Sequence, residues 1–239
     1  MIKIIYLINP GHKFKPSVIL ILSIPFIQII TSNMVDINLL LAWGASYKKV
    51  SIHETIFTEG QICNFYYQLV SGKVKWVNID DQGRECIHAM VEPGESFGEF
   101  PIFDVGLYNA SAIADSNCIL IRLCKSTFLE LIKENSKILF DFTVLFSKRL
   151  RSKYSLIQSL GSHCPESRIA TLINSLRSEN RNFCNDCNQL KLTRQQIADM
   201  TGLRVETVIR TMRLMHDKGE LLITKGKVYC TDMLEVTLA

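Results

Sequence analysis

The sequence predicts an α+β chain: an N-terminal antiparallel β-roll (double-stranded β-helix, cupin-like), then a long helix, then a winged helix-turn-helix. Three observations predict it. Between Val50 and Leu123 the chain runs in short β-rich segments punctuated by glycine, as in ETIFTEG, YYQLVSGKVKWVNID, RECIHAMVEPGE and SAIADSNCILIRL. From Ser126 to Leu160 the apolar spacing switches to three and four. Near the end, TRQQIADMTGLRVETVIRTMR (Thr193 to Arg213) reads as two short helices around a tight turn, and LLITKGKVYC (Leu221 to Cys230) as a hairpin.

Taken in order, residues 1–33 fit none of these elements. Val18 to Ile30 (VILILSIPFIQII) is almost wholly apolar and follows Lys3, His12, Lys13 and Lys15. It is too short to span a bilayer comfortably, Pro25 interrupts it, and Thr31-Ser32-Asn33 is a poor cleavage site. The expectation is an uncertain extension that is not part of the native protein, with Met34 as the start and no membrane role. Residues 34–125 then form the roll, in which Asp81-Gln82-Gly83 is a hairpin turn and Gly72 and Pro93-Gly94 are breaks. Phe65, Tyr66, Tyr67 and Trp76 are expected in its core rather than in a ligand cage.

Residues 126–161 are helical. Ser126 to Asn135 starts on an N-cap serine, and Ser136 to Leu160 carries a stripe of Leu139, Phe142, Phe146, Leu150, Ile157 and Leu160. Such a stripe suits a parallel coiled-coil dimer, or packing on the chain's own sheet, each on a different face. Ser162 to Pro165 reads as a hinge, Glu166 to Glu179 as another amphipathic helix, and 165–239 as the closing unit.

In that unit Thr193 is the N-cap and Gln196 completes a capping box, Gly202 makes the turn, and Val208, Met212 and Met215 point inward. Glu206, Ile209, Arg210 and Arg213 share the opposite face. Arginine can donate twice to guanine and glutamate can accept from cytosine N4, so Glu206 and Arg210 can read one G·C step. The plain alternative is an i,i+4 salt bridge on a solvated helix. The hairpin favours DNA, because small basic helix pairs with a β-wing are built for a groove, with Lys225 and Lys227 placed to touch phosphate. Thr193, Arg194, Arg204 and Thr207, at the helix starts, complete the expected contact set.

Composition sets bounds without deciding. The 239 residues are 47% hydrophobic and 21% charged, long enough for two domains. The formal net charge of +4 is mild, and from Pro165 onward 11 Lys/Arg face 9 Asp/Glu, a balance of +2, so a DNA footprint has to come from local placement. There are eight cysteines and one tight spacing, Cys184-Asn-Asp-Cys187. Two thiolates are half a tetrahedral site; Cys230 is the better third ligand, since a strand at Leu190 to Leu192 can pair beside it, whereas His163 and Cys164 lie a helix away. Metal or thiol sensing through Cys184 and Cys187 is the alternative function. Cys63, Cys86, Cys118 and Cys124 are expected as small core residues. No nucleophile–base constellation, P-loop or paired carboxylates argues for an enzyme.

This order of roll, long helix and winged helix resembles the Crp/Fnr family of bacterial transcription regulators over about Val35 to Tyr229. GESFGEFPIF (Gly94 to Phe103) looks like the family's glycine–glutamate segment in its nucleotide-binding roll, and LTRQQIADMTGLRVETVIR (Leu192 to Arg210) looks like its DNA-reading motif. The resemblance implies a cytoplasmic homodimer on a palindromic, TTGA-like operator in double-stranded DNA, RNA polymerase as a further partner, and an unknown small-molecule effector in the roll. It carries the base-reading roles to Glu206 and Arg210, and Val205 favours the Fnr-like mode. In nucleotide-binding members the glutamate holds ribose, matched by Glu99 after Gly98, and an Arg-Ser pair grips phosphate. Here Asn109-Ala110 stands at that place, followed by Ser111. Without the guanidinium a buried phosphate loses a bidentate, charge-assisted contact, so cyclic AMP binding is expected to be weak or absent. The N-terminal cysteine cluster that holds iron–sulfur in Fnr has no counterpart, since residues 1–61 contain no cysteine.

Overall fold

Eight short strands and two helices build the first half. They are α1 (Ile37–Ala42), β1 (Ser46–Val50), β2 (Thr55–Phe57), β3 (Phe65–Ser71), β4 (Val74–Ile79), β5 (Glu85–Val91), β6 (Ser96–Phe97), α2 (Phe100–Asp104), β7 (Ser111–Ala114) and β8 (Cys118–Cys124). The computed structural model describes residues 34–161, 164–179, 181–184 and 186–230, without the side chain of Leu160. The extension 1–33, Ser162 and His163 of the expected hinge, and the tail 231–239 lie outside them.

The strands pair antiparallel in two four-stranded sheets, β1-β8-β3-β6 and β2-β7-β4-β5. Strand β3 shows why YYQLV is an unbroken apolar run: neighbouring side chains point to opposite faces, and both faces are covered. Tyr67 meets Phe57 and Phe97 between the sheets, while Tyr66 stacks on Phe128 at 4.1 Å on the other side. Buried Gln68 lies on the same face as Tyr66 and ties down the segment before α1, accepting from Val35 N and donating to Val35 O, each at 3.0 Å. Gly72, at φ 94°, turns β3 into β4 so close to Asn117 O that a side chain there would collide with it.

Helix α3 (Lys125–Glu134) has its N-cap two residues earlier than the sequence predicts, at Cys124 and not Ser126, because the Lys125 N–H is already tied to Asn64 O at 2.9 Å. Helix α4 (Ser136–Leu160) has the expected limits and two faces. Phe142 is buried and Phe146 half-buried against the roll, in contact with Phe103. Leu139, Leu150 and Ile157 are exposed, so the six-residue stripe read from the sequence is really two.

Helix α5 (Pro165–Ser178) starts on Pro165, whose fixed φ suits a first helical position. Then come β9 (Gln189–Leu190), α6 (Arg194–Thr201), α7 (Val205–Asp217), β10 (Leu222–Thr224) and β11 (Lys227–Tyr229), with the strands in the order β10-β11-β9. The pairing of β9 with β11 is the one anticipated beside Cys230, though the strand is shorter than Leu190 to Leu192 suggested. Ile169, Leu172, Ile197, Val208, Met212 and Val228 form this unit's core. Val77, Ile87 and Met90 of the roll belong to the same cluster. Polar contacts reinforce the join: Arg181 donates to Met90 O and Glu95 Oε2 at 3.0 Å, the Asn182 N–H reaches Glu92 Oε2 at 3.1 Å, and Gln196 Nε2 reaches Asp115 Oδ2 at 3.2 Å.

Candidate nucleic-acid interface and effector cavity

Thr193 Oγ1 accepts from Gln196 N at 3.1 Å while Gln196 Oε1 accepts from Thr193 N at 3.0 Å, so the capping box that starts α6 forms as read. Gly202 ends α6 at φ 66°. Helix α7 buries Val208, Thr211, Met212 and Met215 and turns Glu206, Arg210 and Arg213 outward, with Ile209 at 37% exposure among them. Among the described residues no ion pair joins Glu206 to Arg210, so the salt-bridge alternative is not realised. Both heads keep their hydrogen-bonding capacity for an outside partner.

Lys225 (φ 50°) and Gly226 (φ 77°) give the two left-handed positions of a tight hairpin turn, and Lys225 and Lys227 are exposed on it. Arg204, Arg210, Arg213, Lys225 and Lys227 are thus five exposed cations, beside the exposed carboxylates of Glu206 and Asp217 at the two ends of α7. Thr193 is exposed as well, whereas Arg194 and Thr207 are half-buried.

A second feature lies where the roll, α4 and α5 meet. A cavity of about 500 Å³ is walled by Trp76 and Phe100 from the roll, Phe146 and Leu150 from α4, and Leu172 and Leu176 from α5. Its charged lining is Arg149, Lys153, Glu179 and Arg181. Arg149 pairs with Glu99, donates to Ser96 O at 3.0 Å and lies 5.9 Å from the Trp76 ring centroid. Glu99 is fully buried, and its second oxygen has no hydrogen-bond partner among the described residues. Arg181 sits between Glu95 at 2.8 Å and Glu179 at 3.3 Å. Lys153 is different: Nζ donates to His88 O at 3.1 Å, and it forms no ion pair among the described residues. Burial pushes its ammonium pKa down. Burial, with the Lys153 charge adding to it, likewise holds the His88 imidazole below its ordinary value, and His88 Nε2 is hydrogen-bonded to Asn78 Oδ1.

Of the five pocket residues named from the sequence, Asn109 lines this cavity. Glu99 reaches it through Arg149. Ala110 is buried in the roll, and Ser111 Oγ accepts from Glu59 N at 3.0 Å, a structural bond within the sheet edge. Gly98, at φ 67°, lies under the Phe57 ring, which any side chain there would strike. The sequence reading missed Arg149, Lys153 and His88, and took Trp76 as core when it is both core and cavity wall. The available signal was the i,i+4 spacing of Arg149 and Lys153 on an otherwise apolar helix face.

The cysteines divide differently from expectation: Cys63 and Cys118 are buried, but Cys86 and Cys124 are exposed. At the CxxC, the Asp186 backbone N–H and the Cys187 side chain lower the Cys184 thiol pKa, while burial raises that of Cys230. Among the described residues no three His, Cys, Asp or Glu side chains gather as a metal site.

Two family models match this chain, a cyclic nucleotide-binding domain over residues 47–135 and a Crp-like helix-turn-helix domain over residues 167–235. The chain belongs to the Crp/Fnr family. This Crp/Fnr protein is 29% identical over 192 residues to the cAMP-activated global transcriptional regulator CRP of Pasteurella multocida, covering 78% of this chain and 91% of that protein. It is 28% identical over 181 residues to the protein of the same name from Haemophilus influenzae, covering 75% and 80%. Among solved structures, FixK2 of Bradyrhizobium japonicum has a TM-score of 0.66 at 21% identity, covering 79% of this chain and 93% of that one. The c-di-GMP responsive global regulator CLP of Xanthomonas campestris has a TM-score of 0.65 at 21% identity, covering 81% and 97%. Those two likenesses are of fold. The Crp/Fnr chain is thus a DNA-binding transcription regulator, and among its described residues no helix is long and apolar enough to cross a membrane.

Proposed function

We propose that two copies of this chain join along α4 and bind a palindromic operator, each placing α7 in one of two successive major grooves. The observation that carries this reading is the exposed Glu206–Arg210 couple, one helical turn apart, unpaired with each other and flanked by cations. Glu206, Ile209, Arg210 and Arg213 face base edges. Thr193, Arg194, Arg204, Thr207, Lys225 and Lys227 hold the phosphates and set the register. Phe140, Ser147, Leu150, Tyr154 and Ile157 recur on α4 at coiled-coil spacing, and the last two are 65% and 63% exposed, which favours α4 as the dimer seam.

In this reading residues 34–125 receive the signal, 126–161 hold the dimer and 165–239 read DNA. The effector is a small molecule other than cyclic AMP: Asn109-Ala110 offers no guanidinium to a phosphate, and Glu99 is already committed to Arg149. RNA polymerase is the partner on DNA, the site of action is the cytoplasm, and the protein catalyses no reaction. The test is affinity at fixed salt for a duplex with TTGA-type half-sites against a scrambled duplex, with and without cyclic AMP. Preference for the palindrome, unchanged by the nucleotide, is the expected result; equal affinity for both duplexes sinks the reading.

A further inference from the structure

Three cations border the cavity, and three carboxylates answer them. Arg149 faces Glu99, and Arg181 faces Glu95 and Glu179. Burial disfavours the charge of Lys153, and the Glu179 carboxylate in the same lining favours it. These charges sum to zero, so an added anion or an added cation would stand without a partner among apolar walls, which is costly. The lining therefore suits a ligand with no net charge. Hydrogen bonding is not closed in the same way. Lys153 Nζ gives one N–H to His88 O at 3.1 Å, an ammonium group carries three, and no other acceptor among the described residues takes the remaining two. A neutral carbonyl oxygen accepts such an N–H and brings no charge with it. The volume of about 500 Å³ lies within the range of ordinary small-molecule pockets.

We propose that this cavity binds a neutral, largely apolar carbonyl compound, with its oxygen on Lys153 Nζ and its body among Trp76, Phe100, Phe146 and Leu150. The inference rests on the reading that the effector is not cyclic AMP, and it names the class of effector instead. A straight-chain ketone and an aromatic ketone share this chemistry. Either one also meets Leu172 and Leu176 of α5, so occupancy bears directly on the element that leads into the DNA-reading unit.

Calorimetric titration of the full chain tests this with two ketones, benzylacetone and methyl heptyl ketone, each beside an acid and an amine of equal size: hydrocinnamate and phenylbutylamine, octanoate and nonylamine. Cyclic AMP is a further probe. One of the ketones is expected to bind about tenfold or more tightly than its own acid and amine, because only those leave a charge unmatched. The better ketone identifies the source. Lys153→Met should weaken it about ten- to a hundredfold, the share of a hydrogen bond to a charged group, while Lys153→Arg preserves it. Glu179→Gln removes one carboxylate from the balance and should raise the affinity of the acid and not of the ketone. The proposal is overturned if neither ketone binds saturably, if an acid or amine matches its ketone in the unaltered chain, or if Lys153→Met binds the ketone as tightly as before. If neither the ketones nor cyclic AMP bind, the carbonyl assignment alone fails; if cyclic AMP binds saturably and the ketones do not, the reading beneath it fails as well.

Discussion

Arg210 and Lys225 are both exposed cations on the DNA-reading unit, yet they should behave differently when removed. Arg210→Ala should cost about 1–3 kcal/mol on the operator and relax discrimination at one base pair, whereas Lys225→Ala should weaken every sequence alike and flatten the salt dependence. Competition between duplexes differing at one base, run at two salt concentrations, separates the two. Arg149 acts inside the fold: Arg149→Met strands the buried carboxylate of Glu99 and should destabilise the chain by about 3–5 kcal/mol in chemical unfolding. His88 links stability to pH. Its imidazole pKa is depressed in the fold, so below the ordinary value of about 6.5 the unfolded chain takes up a proton that the folded chain resists. Stability is therefore complete above that pH and falls as the pH drops beneath it, and unfolding curves of His88→Gln should lose that part of the slope. The sequence made Glu206 and Arg210 legible because four residues make one helical turn. It hid the Arg149–Glu99 pair because those partners are fifty positions apart and meet only when α4 crosses the roll.

At the scale of elements, α4 carries two tasks on two faces. Phe142 and Phe146 lock it to the roll, and Phe140, Tyr154 and Ile157 are left outward. Ile157→Glu should therefore leave the fold intact and yield a monomer by sedimentation velocity, with loss of tight binding to the palindrome; a variant that stays dimeric moves the seam elsewhere. The apolar period identified this helix and its limits. It could not assign the faces, because a stripe packed on a sheet and one packed on a second copy have the same composition. Strand boundaries were readable where the backbone needs glycine, as at Gly72 and Gly83. The start of α3 was not, because a backbone bond from Lys125 to Asn64, and no side-chain cap, sets it.

For the whole molecule, the decisive contact is the one between the two halves. The sequence showed the order of roll, long helix and winged helix. It gave no sign that Val77, Ile87 and Met90 of the roll close the core of the unit that reads DNA, since their alternation already made sense as ordinary strand residues. That shared core means neither half is thermodynamically self-sufficient. Heating should give one calorimetric endotherm rather than two, with the van't Hoff enthalpy equal to the measured enthalpy. A fragment starting at Pro165 should expose the apolar patch that the roll normally covers, binding hydrophobic dyes and associating with itself at concentrations where the intact chain does not.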